Sequence, residues 1–205
     1  MRAGMKLRHV RWSGLLLALL FLLAGCATQV DRVGPDETED LTGRWNERDS
    51  RLVSEEMVED LMRRAWLERH HATRDSNPAV IVGEIRNLSD EHINTNTFIR
   101  DIERELINSG RVTFVADSGE RQAIRGERAD QEEHARPDTR SPAGQELGAD
   151  YMLTGTINTI KDVEGRTEVA YYQVNLALTS LADNTRVWVG QKEIRKVIRR
   201  GLFRS

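Results

Sequence analysis

Ten consecutive apolar residues, 15–24, run almost directly into Cys26, the only cysteine in the chain. This pairing decides where folding can begin. A membrane-spanning helix needs about 20 apolar residues, so a run of ten behind Arg2, Lys6, Arg8 and Arg11 has the build of a secretory signal and not of a span. Ala24 and Gly25 are small enough to admit a peptidase before Cys26. Folding is then left to the 180 residues that follow position 25. With no second cysteine, packing alone must hold the core in an oxidising compartment.

Leu23-Ala24-Gly25-Cys26 has the pattern of a bacterial lipobox, which makes Cys26 the expected lipidated first residue of the mature chain. A diacylglycerol on sulfur plus an acyl chain on the amine gives three hydrocarbon tails, more than stable anchoring requires. Similarity to bacterial lipoproteins implies that an Asp after the lipidated cysteine retains a protein in the inner membrane. Ala27 stands there, so the expected place is the outer membrane, facing the periplasm. Losing four of thirty basic residues leaves 26 against 33 acidic ones, a mature charge of −7. That balance argues against nucleic acid as a partner.

Residues 26–46 hold Gly34, Pro35, Gly43 and five acids, Asp31, Asp36, Glu37, Glu39 and Asp40. With few large apolar side chains they read as a flexible tether of about 20 residues, reaching roughly 70 Å when extended. The globular domain is expected over residues 47–205. Its first element is an amphipathic helix over 50–70, where Val53, Met57, Leu61 and Ala65 repeat every four residues. Asn77-Pro78 ends it. The β-branched run 79–85 predicts a strand buried on both faces, followed by a polar loop to Asn94. Phe98, Ile99, Ile102 and Leu106 share one face of the next helix, Gly110 is its left-handed cap, and residues 112–115 form a second strand. That is a βαβ unit.

Downstream, residues 117–140 predict a charged surface helix from about Ser118, touching the domain through Ala123, Ile124 and Ala129. Ser141-Pro142 predicts the start of a short helix ended by Gly148. Strands over 151–161 and 166–181 flank a turn at Glu164-Gly165. In the second of them Tyr172, Val174, Leu176 and Leu178 alternate with polar residues, as in a sheet with one buried face. A last strand at 187–189 completes an antiparallel meander. The expected fold is thus α/β: a mixed sheet flanked by helices, made of the βαβ unit and the meander. Lys192, Arg195, Lys196, Arg199, Arg200 and Arg204 then form a basic tail.

Nothing in the residues points to catalysis. His70-His71, His92 and His134 are scattered and read as solvated loop histidines, and no thiolate is left to join them on a metal. Neither a G-x-S-x-G elbow nor a glycine-rich phosphate loop occurs. No cofactor is therefore expected. Two binding candidates remain: the loop carrying Asn87, Asp90, Glu91, His92 and Asn94 at the carboxyl end of the first strand, where α/β sheets tend to place ligands, and the basic residues Arg195, Lys196, Arg199 and Arg200. The tail reads equally as a binding element or as a solvated terminus, and Trp188 reads as a core aromatic.

Four segments carry a family resemblance: residues 82–87 (VGEIRN), 105–111 (ELINSGR), 148–157 (GADYMLTGTI) and 186–194 (RVWVGQKEI). In this order and spacing they resemble the LpoB family, outer-membrane lipoproteins that activate penicillin-binding proteins and whose globular domain is similar to the amino-terminal domain of TolB. The resemblance runs from about Trp45 to Lys196. It implies a non-enzymatic protein that crosses the cell-wall mesh and stimulates a bifunctional class A penicillin-binding protein, thereby regulating peptidoglycan synthesis. A tether this short departs from the long disordered one of the well-known member. The alternative is a structural or assembly lipoprotein of an envelope or secretion complex with a TolB-like domain.

Overall fold

The computed structural model describes residues 42–199, so Cys26, the signal, most of the tether and Arg200 lie outside the described residues. The first helix, α1, spans Glu47–Arg63 and begins earlier than its apolar stripe suggests. Asn46 accepts from the Asp49 N–H while the Asp49 carboxylate accepts from the Asn46 N–H, a reciprocal cap that meets two otherwise orphaned donors. The single helix expected to reach residue 70 is in fact two. Arg64 is extended (φ −87°, ψ 153°), and α2 restarts over Ala65–His71. The buried Trp66 indole donates at 2.8 Å to the Leu61 carbonyl, which also accepts from the Arg64 N–H at 3.3 Å, so the last turn before the break is closed from both sides.

Strand β1 (Ala79–Asn87) leads through helix α3 (Thr95–Asn108) to β2, which holds only Thr113–Phe114 although Val112 and Val115 beside it are buried. Gly110 has φ +63°, as the cap requires. Helix α4 (Ser118–His134) follows. The helix expected at 141–148 is absent; after a 3₁₀ turn at Pro137–Thr139, that stretch holds only a turn. Gly144 sits at φ +81°, and so short a segment without a buried face cannot offset the cost of helix nucleation.

Strands β3 (Tyr151–Glu164), β4 (Thr167–Ser180) and β5 (Arg186–Arg199) are 14 residues each. The sheet order is β2-β1-β3-β4-β5, with β1 parallel to both neighbours and the last three strands antiparallel. This is the expected mixed α/β sheet of a βαβ unit joined to a meander. The sequence reading is overturned at Lys192, Arg195, Lys196 and Arg199: these four residues of the expected basic tail are in the second half of β5, because Trp188, Ile194 and Ile198 keep the period of two going as far as Arg199.

The core lies on one side of the sheet. Val53, Met57 and Leu61 of α1 and Phe98, Ile102 and Leu106 of α3 meet Val80, Leu153, Ile157, Tyr172, Val174, Leu178 and Trp188 in one cluster. Each fully buried Leu, Phe or Ile there contributes about 1.5–3 kcal/mol relative to exposure. The opposite face of β3–β5, with Thr156, Gln173, Asn175, Gln191 and Arg195, has no helix over it in the cluster.

Candidate functional site

Period-two alternation sorts the basic residues of β5. Lys192 and Lys196 point toward α1, where Lys192 is paired with Glu56 and Lys196 with Asp49 at 2.5 Å. Both partners of the second pair are only 9% exposed, and Lys196 also donates to the Arg44 carbonyl at 2.9 Å. Lys196 is therefore part of the packing of α1 and not of a free basic surface. Arg195 and Arg199 are exposed and lie on the other, open face. There Arg86, Arg186, Glu84, Thr154, Asn175 and Gln191 line a shallow cleft of about 620 Å³.

The loop after β1 is held from within. Asn87 donates to the Glu91 carbonyl (2.7 Å) and its Oδ1 accepts from both the N–H and the hydroxyl of Ser89 (3.0 and 2.6 Å), an Asx turn that fixes the backbone. Asn94 caps α3 by accepting from the Asn96 N–H. Glu91 is buried beneath the loop. Its carboxylate accepts from the Tyr172 hydroxyl (2.9 Å to each oxygen), the Trp45 backbone N–H (3.2 Å) and the Lys161 ammonium (2.9 Å). Asp90 reaches Lys161 from outside at 2.8 Å, and His92 is exposed.

These contacts set the protonation states. Burial pushes the Glu91 carboxyl up, but Lys161, Tyr172 and the Trp45 N–H together bring it below its ordinary value, so it is a carboxylate at neutral pH. Burial and then Glu91 drive the Tyr172 hydroxyl far up, keeping it a donor. Asp90 holds Lys161 protonated, and Lys161 in turn lowers Asp90.

Of the loop residues singled out from sequence, Asn87, Glu91 and Asn94 serve the fold, while Asp90 and His92 are exposed, as is the neighbouring Leu88. The structure does not bring the loop and the arginines to one face: Glu91 meets Tyr172 on the helix side, and Arg195 neighbours Tyr171 on the open side. The linkage of residues 43–45 to Glu91 has no signature in the residues of either segment alone, since it joins positions 46 apart. His70 is another correction. It is buried, with Nδ1 3.1 Å from the Tyr151 hydroxyl, and desolvation lowers its pKa, so it is a neutral core residue and not a solvated one. No group of three or more His, Cys, Asp or Glu that could hold a metal occurs among the described residues, and no helix among them is long and apolar enough to cross a membrane.

Residues 49–194, which take in α1 from Asp49 onward, the loop, most of the open face and β5 as far as Ile194, match the family described as peptidoglycan-synthase activator LpoB. The chain belongs to the LpoB family. No curated protein matches its sequence. Solved structures similar to this LpoB-family domain include the LpoB C-terminal domain from Escherichia coli, at 14% identity over 66% of this chain and 93% of that one, with a TM-score of 0.32. The lipoprotein GNA1162 from Neisseria meningitidis is also 14% identical, over 58% and 83% of the two chains, with a TM-score of 0.40. A PelC dodecamer from Paraburkholderia phytofirmans is 16% identical over 62% and 77%, with a TM-score of 0.34. The LpoB family takes its description from activating a synthase, which is a regulator's role.

Proposed function

We propose that this chain is an outer-membrane lipoprotein, anchored through Cys26 and facing the periplasm, that binds a class A penicillin-binding protein and raises its rate of peptidoglycan synthesis. The observation that carries the reading is the family match over residues 49–194. The lipobox at Leu23-Ala24-Gly25-Cys26 supports the anchor, and Ala27, in place of an Asp after the lipidated cysteine, supports the outer membrane as its destination. Activation here is a population shift: binding favours the synthase's active conformation by as much as the two conformations differ in affinity for this domain. The candidate contacts are the outward groups, Asp90 and His92 of the loop and Arg195 and Arg199 of the open face. Charge reversal at the two arginines leaves the core untouched, slows association and changes its salt dependence.

The test is a glycan polymerisation assay with the purified mature chain and the class A synthase of its own envelope. Faster polymerisation in the mixture, and none by this chain alone, supports activation. A mature chain that binds no such synthase overturns it in favour of an assembly component of the envelope. The anchor is tested separately by mass spectrometry, where an unmodified Cys26 on the mature protein would sink that part of the reading.

A further inference from the structure

Residues 43–45, the last before α1, are strapped to the domain at every step. Gly43 has φ +68° and lies so close to Ile198 that a Cβ on it would come within 2.2 Å of that side chain, so glycine is required twice over. The Arg44 carbonyl receives the Lys196 ammonium. The Trp45 ring packs edge-on against Phe98 and Tyr172, with centroids 6.1 and 5.6 Å away, and its indole N–H donates to Ser50 at 2.8 Å. Its backbone N–H ends on Glu91. Glu91 in turn belongs to the loop, whose own turn is closed when Asn87 donates to the Glu91 carbonyl. One residue thus carries both contacts: its side chain holds the strap and its backbone holds the loop.

We propose that residues 43–45 form a latch whose engagement on Glu91 sets the conformation of the loop 87–94, so that the membrane anchor and whatever binds the loop communicate through this one carboxylate. The inference rests on the reading that the chain is held at Cys26 and bound at the loop. Sixteen residue steps separate Cys26 from Thr42, a span of roughly 55 Å at full extension. Tension on that short span is delivered first to Gly43, Arg44 and Trp45. In the engaged state the strap supplies Glu91 with a donor and covers Tyr172 with a ring. In the released state the Glu91 carboxylate keeps only Tyr172 and Lys161, and Tyr172, its hydroxyl donor, loses the ring packed edge-on against it. Coupling of this kind is reciprocal: a partner that binds the ordered loop tightens the strap, and release of the strap weakens the partner's hold.

Hydrogen exchange on the mature chain tests the latch without reference to the anchor or the synthase. In Trp45→Ala, amides of residues 88–93 should exchange at least about tenfold faster while those of Val80, Val82 and Ile102 keep their protection, because local opening is decoupled from global unfolding. Glu91→Gln retains the volume, loses the charge, and should speed exchange both in the loop and at the Trp45 amide. The reverse direction is probed by Asn87→Ala, which loosens the loop and should speed exchange at residues 43–46. Loop exchange that is unchanged in both Trp45→Ala and Glu91→Gln overturns the latch. So does acceleration of loop and core by the same factor, which would make Trp45 an ordinary core residue. A chain that fails as a synthase activator yet shows the coupled exchange would overturn the functional reading and leave the latch standing.

Discussion

Helices α1 and α4 are each 17 residues long, and each opens on a reciprocal cap, Asn46 with Asp49 and Asp117 with Glu120. Their fates differ completely. Eight residues of α1 are buried, including Val53, Met57, Val58, Leu61 and Met62, whereas α4 buries none. The local signals for starting a helix are therefore equivalent, and what separates the two is the apolar stripe. α4 offers only Ala123, Ile124 and Ala129 and is held by charge: Arg100 of α3 bridges Glu120, and Arg125 and Arg128 bridge Glu146. Exposed pairs of this kind contribute about 0–1 kcal/mol each. A helix polar all round persists through such pairs and its caps, without a place in the core.

The largest expected effect breaks the comparison at its root. Leu61→Ala in α1 removes a fully buried side chain from the cluster that also contains Tyr172 and Trp188, and should cost about 2–5 kcal/mol of global stability. Ile124→Ala in α4 should stay within about 0.5 kcal/mol. Urea melts of the two variants decide it, and equal losses would mean that α4 is covered by something in solution.

The same contrast explains what could be read from the sequence. The period of four in α1, the β-branched run of β1 and the alternation from Tyr172 to Leu178 are each local records of a buried face, and each was legible. The break at Arg64 was not, because neither Pro nor Gly marks it and the apolar period runs on through Trp66 and Leu67. Helix 141–148 failed for the opposite reason, since Ser-Pro is a start signal with no apolar face behind it. β5 was hidden by its charges. Lys192 and Lys196 sit at inward positions that look wrong for a strand until Glu56 and Asp49 of α1 supply their partners. Of the candidate site, Asp90, His92, Arg195 and Arg199 are exposed, whereas Asn87 and Asn94 are spent on a local turn and a helix cap, and the structural duties of Glu91 and Lys196 depend on residues up to 152 positions away. Cys26 and Arg200 lie outside the described residues.

A second, intermediate effect concerns how α1 is held at its start. Glu91→Gln removes the charged acceptor shared by Trp45, Tyr172 and Lys161 and should cost about 1–3 kcal/mol at neutral pH. The sign of the pH effect follows from linkage. The folded-state pKa of Glu91 lies below its ordinary value, so its contribution is complete above the ordinary carboxylate range and is lost as pH falls through the folded pKa. The groups facing it, Lys161, Tyr172 and the Trp45 N–H, stay protonated throughout. Wild type should accordingly lose stability faster than Glu91→Gln as pH is lowered below about 5, and the two melting temperatures should converge in acid. Parallel curves would show that Glu91 carries no net charge effect. Burial of neutral His70 adds a separate slope: its lowered pKa means the unfolded chain takes up more protons, so stability declines as pH falls below about 6.5. That slope is common to both proteins and cancels in the difference.

The smallest effect is the sharpest, because it perturbs the one feature that the two helices share. Asn46→Ala and Asp117→Ala each remove the side chain that caps an N3 amide, a change worth about 0.5–2 kcal/mol to the helix concerned. The loss at Asn46 must appear in global unfolding, since α1 cannot fray without exposing Val53 and Met57 and releasing the adjoining Trp45. A melting point lower by about 2–4 °C per kcal/mol is expected for a domain of this size. At Asp117 the same chemical change has no core behind it. α4 should open by itself, its amides from Glu120 onward exchanging faster by the factor that the cap was worth, while the melting point of the domain stays where it was. If Asp117→Ala lowers the global melting point as much as Asn46→Ala, then α4 is coupled to the sheet by more than its ion pairs, and the division between a helix the core requires and one it merely carries is wrong.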